Sequence, residues 1–391
     1  MRHRSIIPAI LFLLHAGIAV PVHAAGEARE AEIAELARKP DAWFLDQVGG
    51  KRAVRDGEPL DVRVQYLFKQ EYGAEAEAEQ TDEPAADPGA TAEELAAMRH
   101  DANLRWMQHT LPGPAMDWVR DAAVPARHGG QIPVRIYRPK AGGTLPLLVY
   151  YHGGGWLFGD VGAVDRAISR LADEAQVVIV SVDYRLAPEH PYPAAWEDAE
   201  DAYAWASANA GTWDSDPSRI CVGGDSAGGN LSVAVTTRRQ ASGKPAPACQ
   251  LLYYPAVDNR SVETMVETYA SFRLFGEGFG LDYAFTEYVL SRVFPGRDLA
   301  LPEISPLLAA DVSRMPPTLL AASGFDTLRD SNRAYAQRLE KAGVRVLYRE
   351  FPTLPHGFLQ LTAITPAAGK AASQTAQEFG RLIREAPAIP Q

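Results

Sequence analysis

The sequence predicts an α/β fold: a mostly parallel central sheet with helices on both faces and a helical cap. Three observations predict it. Seven short apolar runs recur from about residue 130 onward, helical patterns lie between many of them, and glycine-rich turns follow two of the runs directly. The runs at residues 134–137, 147–151, 177–182, 220–223, 250–254, 318–322 and 344–348 are rich in Val, Ile, Leu and Tyr. Helical periodicity occupies 164–174, 194–208, 230–240 and 332–342, the last closed by Gly343 at a C-cap position. A strand–helix alternation of this kind implies a parallel sheet buried on both sides, which is why its strands are apolar throughout. In such sheets the chemistry sits on loops at the carboxyl ends of the strands.

The preceding residues read differently. Residues 74–92 are almost entirely Ala, Glu, Asp, Pro, Gly and Thr, the composition of a solvated linker or loop. Thr91 with Glu94 then forms a capping-box pattern that opens a helix through Leu95, Met98 and Trp106 and ends before Pro112-Gly113-Pro114. The organisation expected is a signal peptide over 1–24, an N-terminal extension with the acidic linker and cap helices over 25–115, and a catalytic domain over 116–391 with a cap insertion at about 256–302. No internal repeat of 20–50 residues is present.

The 391-residue chain is 47% hydrophobic and 22% charged, ordinary for a globular protein, and carries a formal net charge of −11. No excess of Lys or Arg exists to neutralise phosphates, which argues against a nucleic-acid partner. Arg2 and Arg4 precede an apolar stretch from Ile6 to Val20, and Val22-His23-Ala24 offers the small residues of a signal-peptidase site. That stretch is shorter than the roughly 20 residues that span a bilayer. Export to the periplasm or beyond, with no membrane anchor after processing, is therefore expected. The two cysteines, Cys221 and Cys249, lie in runs that read as buried strands. Export would permit a disulfide, but buried free thiols are the reading favoured by sequence alone.

Gly224-Asp225-Ser226-Ala227-Gly228 follows the run 220–223 and precedes a helix, the strand–turn–helix context of a G-x-S-x-G nucleophile elbow. The turn is so tight that flanking side chains must be absent, which Gly224 and Gly228 satisfy. His152-Gly153-Gly154-Gly155-Trp156 follows the run 147–151. Consecutive glycines leave backbone N–H groups unobstructed, and Ala227 supplies another, so an oxyanion hole is expected. No Lys-Ser/Thr pair follows these glycines, which argues against a P-loop reading.

A base and an orienting acid are then required downstream, in the order Ser, acid, His. Of the histidines beyond residue 24, only His356 lies after Ser226. The acid must follow the run 318–322, which leaves Asp326 and Asp330; Asp330 is better explained as an N-cap or first-turn acid of the next helix. Ser226, Asp326 and His356 are thus the expected triad. No Cys/His/Asp cluster has metal-ligand spacing, and the triad needs no cofactor.

Together His152-Gly-Gly-Gly-Trp156, Tyr184-Arg-Leu-Ala-Pro-Glu-His190, Gly224-Asp-Ser-Ala-Gly-Gly-Asn230, Asp326-x-Leu-Arg-Asp330 and His356-Gly-Phe358 resemble the hormone-sensitive-lipase family of α/β-hydrolase esterases (family IV lipolytic enzymes) over roughly 130–365. The resemblance implies that triad, an oxyanion hole from the N–H groups of Gly153, Gly154 and Ala227 with His152, Gly155, Gly224 and Gly228 as motif support, and short- to medium-chain esters as substrates. Thr327 and Ser331 depart from the family pattern and put local loop geometry in question. The Tyr184–His190 block and Pro191-Tyr192-Pro193 read as fixing a loop, and Trp156 and Phe158 as packing. An aromatic segment holding Phe272, Phe275, Phe279, Tyr283, Phe285 and Tyr288 reads as a cap over the site or as packing of that cap. An amide or carbamate hydrolase on the same triad and a non-catalytic binding module stand as alternatives. Oligomeric state is left open, a homodimer included.

Overall fold

A computed structural model describes residues 22–78 and 91–389. Most of the signal-peptide segment and most of the acidic linker thus lie outside the described residues. The N-terminal extension comprises α1 (Val22–Ala37), α2 (Asp41–Gln47), the two-residue strands β1 (Val54–Arg55) and β2 (Glu58–Pro59), α3 (Val62–Ala78) and α4 (Ala92–His109). Helix α3 runs into the segment read as linker. The N-terminus of α4 is as expected: Glu94 N–H donates to Thr91 Oγ1 at 3.2 Å and Thr91 N–H to Glu94 Oε2 at 2.8 Å.

The remaining chain gives β3 (Trp118–Pro125), β4 (Gln131–Arg138), β5 (Leu145–Tyr151), α5 (Asp165–Ala175), β6 (Val178–Val182), α6 (Ala194–Asn209), β7 (Ser215–Asp225), α7 (Ala227–Ala241) and β8 (Gln250–Tyr253). There follow α8 (Val262–Thr268), α9 (Ala270–Phe275), α10 (Tyr283–Val293), β9 (Thr318–Phe325), α11 (Arg329–Lys341), β10 (Val346–Pro355) and α12 (Pro366–Glu385). Eight strands form one sheet in the order β10-β9-β8-β7-β5-β6-β4-β3. All pairings from β10 to β6 are parallel, and β4 runs antiparallel to both its neighbours.

Alternate residues of each central strand point to opposite faces, and both faces are apolar. Leu147, Val149, Val222, Leu252 and Leu320 join one buried cluster with Trp196 of α6, Leu231 of α7 and Leu339 of α11. Leu148, Tyr150, Leu251 and Leu319 join the other with Ile168 of α5 and Phe379 of α12. The sandwich of helix, sheet and helix follows from this two-sided burial. Gly343, at φ 85°, closes α11 in the left-handed conformation that its sequence position predicts. Among the described residues no helix is long and apolar enough to cross a membrane.

One expectation is corrected. Cys221 and Cys249 are not free thiols but a disulfide, with Cα atoms 4.8 Å apart. Val222 of β7 pairs with Gln250 of β8, so the residues one step earlier also face each other across the two strands. A crosslink over 28 residues stabilises by roughly 3.5 kcal/mol on loop-entropy grounds.

His109, in the last turn of α4, is buried, and its backbone oxygen accepts from Ala363 N–H at 2.8 Å. Burial, followed by the nearby Arg29 and Arg105, lowers its pKa from 6.5 to about 4. The unfolded chain therefore binds a proton that the folded chain resists, and stability should fall as pH drops from 6.5 toward 4. The loss attributable to this group should approach roughly 3 kcal/mol. Urea denaturation at pH 7 and pH 4.5 should show a smaller decrease for His109→Gln than for wild type; identical decreases would refute the assignment.

Candidate active site

Ser226 occupies the single-residue turn between β7 and α7, with φ 54° and ψ −115°, a conformation an L-residue seldom adopts. Three backbone bonds hold it there. Ser226 N–H donates to Tyr253 O at 2.9 Å, and its own carbonyl accepts from Asn230 N at 3.2 Å and Ala256 N at 3.1 Å. A Cβ on Gly228 would run into the Tyr151 carbonyl, and one on Gly224 into both Gly228 and that same carbonyl. Glycine is required at these positions because the elbow is pressed against the end of β5.

The structure brings the three predicted residues together. His356, directly after β10, places Nε2 2.9 Å from Ser226 Oγ and Nδ1 2.8 Å from Asp326 Oδ2. Asp326 follows β9 and is 1% exposed. Its Oδ1 accepts Leu328 N–H at 2.8 Å, which fixes the rotamer that aims Oδ2 at the imidazole. Asp330, the rejected alternative, sits in the first turn of α11, accepts Ser271 N–H at 2.8 Å and pairs with Arg329 and Arg333. Thr327 and Ser331, the departures noted above, leave Asp326 in place. Thr327 O accepts from Ser271 Oγ at 2.7 Å, and Ser331 Oγ donates to Leu328 O at 2.9 Å.

The glycine loop after β5 differs from expectation in one respect. Gly153 N–H is taken by the buried carboxylate of Asp225, at 3.0 Å from Oδ1, so the oxyanion-donor role assigned to Gly153 does not stand. The N–H groups of Gly154, Gly155 and Ala227 make no hydrogen bond among the described residues. Gly154 at φ 105° and Gly155 at φ 62° turn the loop. A Cβ on Gly154 would lie 3.0 Å from Trp106 Cη2 of α4, and one on Gly155 would lie 2.9 Å from Val289 Cγ2 and 3.5 Å from Phe285 Cζ of α10. Helices from both the extension and the insertion therefore crowd this loop.

The Tyr184–His190 block braces it from behind, as the sequence suggests. Tyr184 stacks on the buried His152 ring at 4.3 Å and donates its hydroxyl to His152 O at 2.7 Å. Arg99 of α4 reaches Leu157 O at 2.8 Å and Ala187 O at 2.7 Å while pairing with Glu189, which gives Glu189 a structural partner. Trp156 packs on Trp196 with centroids 5.2 Å apart. Most of the cap aromatics are packing residues too: Phe275 and Phe279 lie against Phe325, and Phe272 stacks with Tyr283. Of the six, Phe285 approaches the glycine loop. Sequence reasoning missed Tyr254, whose ring lies 4.8 Å from His356; its φ of 34° at a strand end carries no sequence signal.

Residues 148–360 match a protein family described by its alpha/beta hydrolase fold, more than half of the chain. The chain belongs to that family, the hormone-sensitive-lipase-like esterases. A carboxylic ester hydrolase of Mycobacterium tuberculosis, LipN, is 38% identical over 325 residues, 80% of each chain. The carboxylesterase NlhH of the same organism is 40% identical over 246 residues, 61% of this chain and 75% of its own. An ester hydrolase from the metagenome of Lake Arreo, solved in complex with a bipyridine phosphonate derivative, superposes with a TM-score of 0.74 at 33% identity, covering 82% of this chain and 98% of that one. This family member is accordingly a carboxylic ester hydrolase.

If the esterase depends on the elbow's approach to β5, Gly228→Ala should lower kcat/KM by at least about 100-fold, the cost of displacing a reacting group by around an ångström. Circular dichroism should show the variant still folded; activity within threefold of wild type would contradict the steric argument.

Proposed function

We propose that the protein is a serine carboxylesterase acting through an acyl-enzyme on short- to medium-chain esters. One observation carries the reading: the continuous hydrogen-bonded chain from Ser226 Oγ through His356 to Asp326. His356 Nε2 takes the hydroxyl proton as Ser226 attacks the ester carbonyl, and Asp326 holds the imidazole in the tautomer that leaves Nε2 free to accept it. The oxyanion is received by the N–H groups of Gly154, Gly155 and Ala227, each worth roughly 10²–10³ in rate. His356 then protonates the leaving alkoxide, and water repeats the attack on the acyl-enzyme. The preference for shorter acyl chains is supported by Trp106, Phe285 and Val289, which crowd the glycine loop.

Export belongs to the same reading. The basic start and short apolar run over residues 1–24 support it, and so does the Cys221–Cys249 disulfide, since such bonds persist in oxidising compartments.

Ser226→Ala should abolish both ester hydrolysis and labelling by a fluorophosphonate, as read by intact-protein mass; labelling that persists would place the nucleophile elsewhere. Across p-nitrophenyl esters of increasing acyl length, kcat/KM should peak at short to medium chains and rise at longer ones in Trp106→Ala. A wild-type maximum at long chains would overturn the substrate assignment, and matched amides should be hydrolysed far more slowly than the esters.

A further inference from the structure

Asp225 has no part in the Ser226–His356–Asp326 chain, yet its carboxylate joins the glycine loop to the turn that follows His356. It is 3% exposed, and no Lys or Arg bonds it among the described residues. Oδ1 accepts Gly153 N–H at 3.0 Å and the Tyr150 hydroxyl at 2.8 Å, and Oδ2 accepts Gln360 Nε2 at 3.3 Å. Gly153 opens the glycine loop, Gln360 lies in the 3-10 turn Phe358–Leu361 just after His356, and Asp225 is bonded directly to Ser226. Burying a carboxylate without a cation is costly, and desolvation pushes its pKa above the usual carboxylate value. An asparagine would be cheaper to bury, but it would turn an NH2 group toward one of these donors. Only a carboxylate presents acceptors at both ends.

We propose that Asp225 is a positioning residue: it locks the glycine loop and the histidine turn to the nucleophile, so that the peptide after Gly153 presents the Gly154 and Gly155 N–H groups to the oxyanion. The inference rests on the serine-esterase reading above. It also accounts for glycine at 153, where a Cβ would collide with Asp225 Oδ2. Releasing the carboxylate frees Gly153 N–H, and the loop loses the bond that sets its register against Ser226.

The test is steady-state kinetics of Asp225→Asn, Asp225→Ala and Gln360→Ala on a short-chain p-nitrophenyl ester, with folding checked by circular dichroism. Asp225→Asn keeps an acceptor for Gly153 and should lose roughly tenfold in kcat, while Asp225→Ala should lose about 100-fold or more, with KM within about threefold in both. Gln360→Ala should fall between wild type and Asp225→Ala, and adding it to Asp225→Ala should cost little more, since both act through one carboxylate. Should Asp225→Ala fail to fold, Asp225→Asn and Gln360→Ala decide the matter. Folded Asp225 variants with kcat within twofold of wild type, or losses confined to KM, would overturn the positioning role. Ser226→Ala run in parallel separates the two ideas: if that variant stays active the serine reading fails, and if it is inactive while the Asp225 variants are normal, the positioning role alone fails.

Discussion

The contact on which the site depends is the approach of the turn at Gly224–Gly228 to the carbonyl of Tyr151, at the carboxyl end of β5. A side chain on either glycine would force the two apart. With none, Ser226 is held at φ 54°, its hydroxyl stands within reach of the imidazole, and Ala227 begins α7 with its N–H unpaired. The strain of that backbone is borne by the surrounding ladder: the elbow is tied to β8 through Tyr253 O, and β8 is itself clamped between β7 and β9. A floppy sheet edge could not hold such a turn. Ser226 accordingly sits near the middle of the eight-stranded sheet, with three strands on one side of β7 and four on the other.

The other two members of the proposed triad are brought in by topology. Asp326 and His356 follow β9 and β10, the last two of the six parallel strands, so their loops emerge on the same edge as the elbow. The N-terminal extension reinforces this edge. Asp61 N–H donates to Thr353 O at 2.9 Å, and Asp56 pairs at 2.9 Å with Arg329, the residue that follows the acid loop into α11. Arg329 also lies 5.1 Å from the centre of the Phe275 ring, so extension, insertion and catalytic core converge on one buried guanidinium. Trp106 of α4 and Phe285 and Val289 of α10 complete the arrangement from above the glycine loop.

Much of this was legible in the sequence, for identifiable reasons. The seven apolar runs overlap β4 to β10: β5, β6, β8 and β9 are buried at every position and carry no charged residue, and the candidate nucleophile, acid and base could be named because only a few residues satisfy the required order. Three features escaped. Strand β3 is an exposed edge with polar and charged residues and lacks the apolar run of its neighbours. Helix α12 buries Phe379, Leu382 and Ile383 together with Ala368, Ala371, Ala372 and Ala376 along one face, and the small alanines of its first half drew no notice although the stripe is amphipathic. The disulfide depends on β7 and β8 lying side by side, which is a fact of sheet order and not of spacing. The choice of glycine donors failed for a similar reason: Gly153, Gly154 and Gly155 are indistinguishable as letters, and only the carboxylate of Asp225 separates the first from the others.

The most direct measurement is a crystal structure of the protein inactivated by a small alkyl phosphonate, whose tetrahedral phosphorus stands in for the attacked ester carbon. A phosphorus bonded to Ser226 Oγ is predicted, with one phosphoryl oxygen roughly 2.7–3.1 Å from the N–H groups of Gly154, Gly155 and Ala227 and Gly153 still bound to Asp225. An adduct on another side chain, or a phosphoryl oxygen seated on Gly153 with Asp225 released, would contradict it.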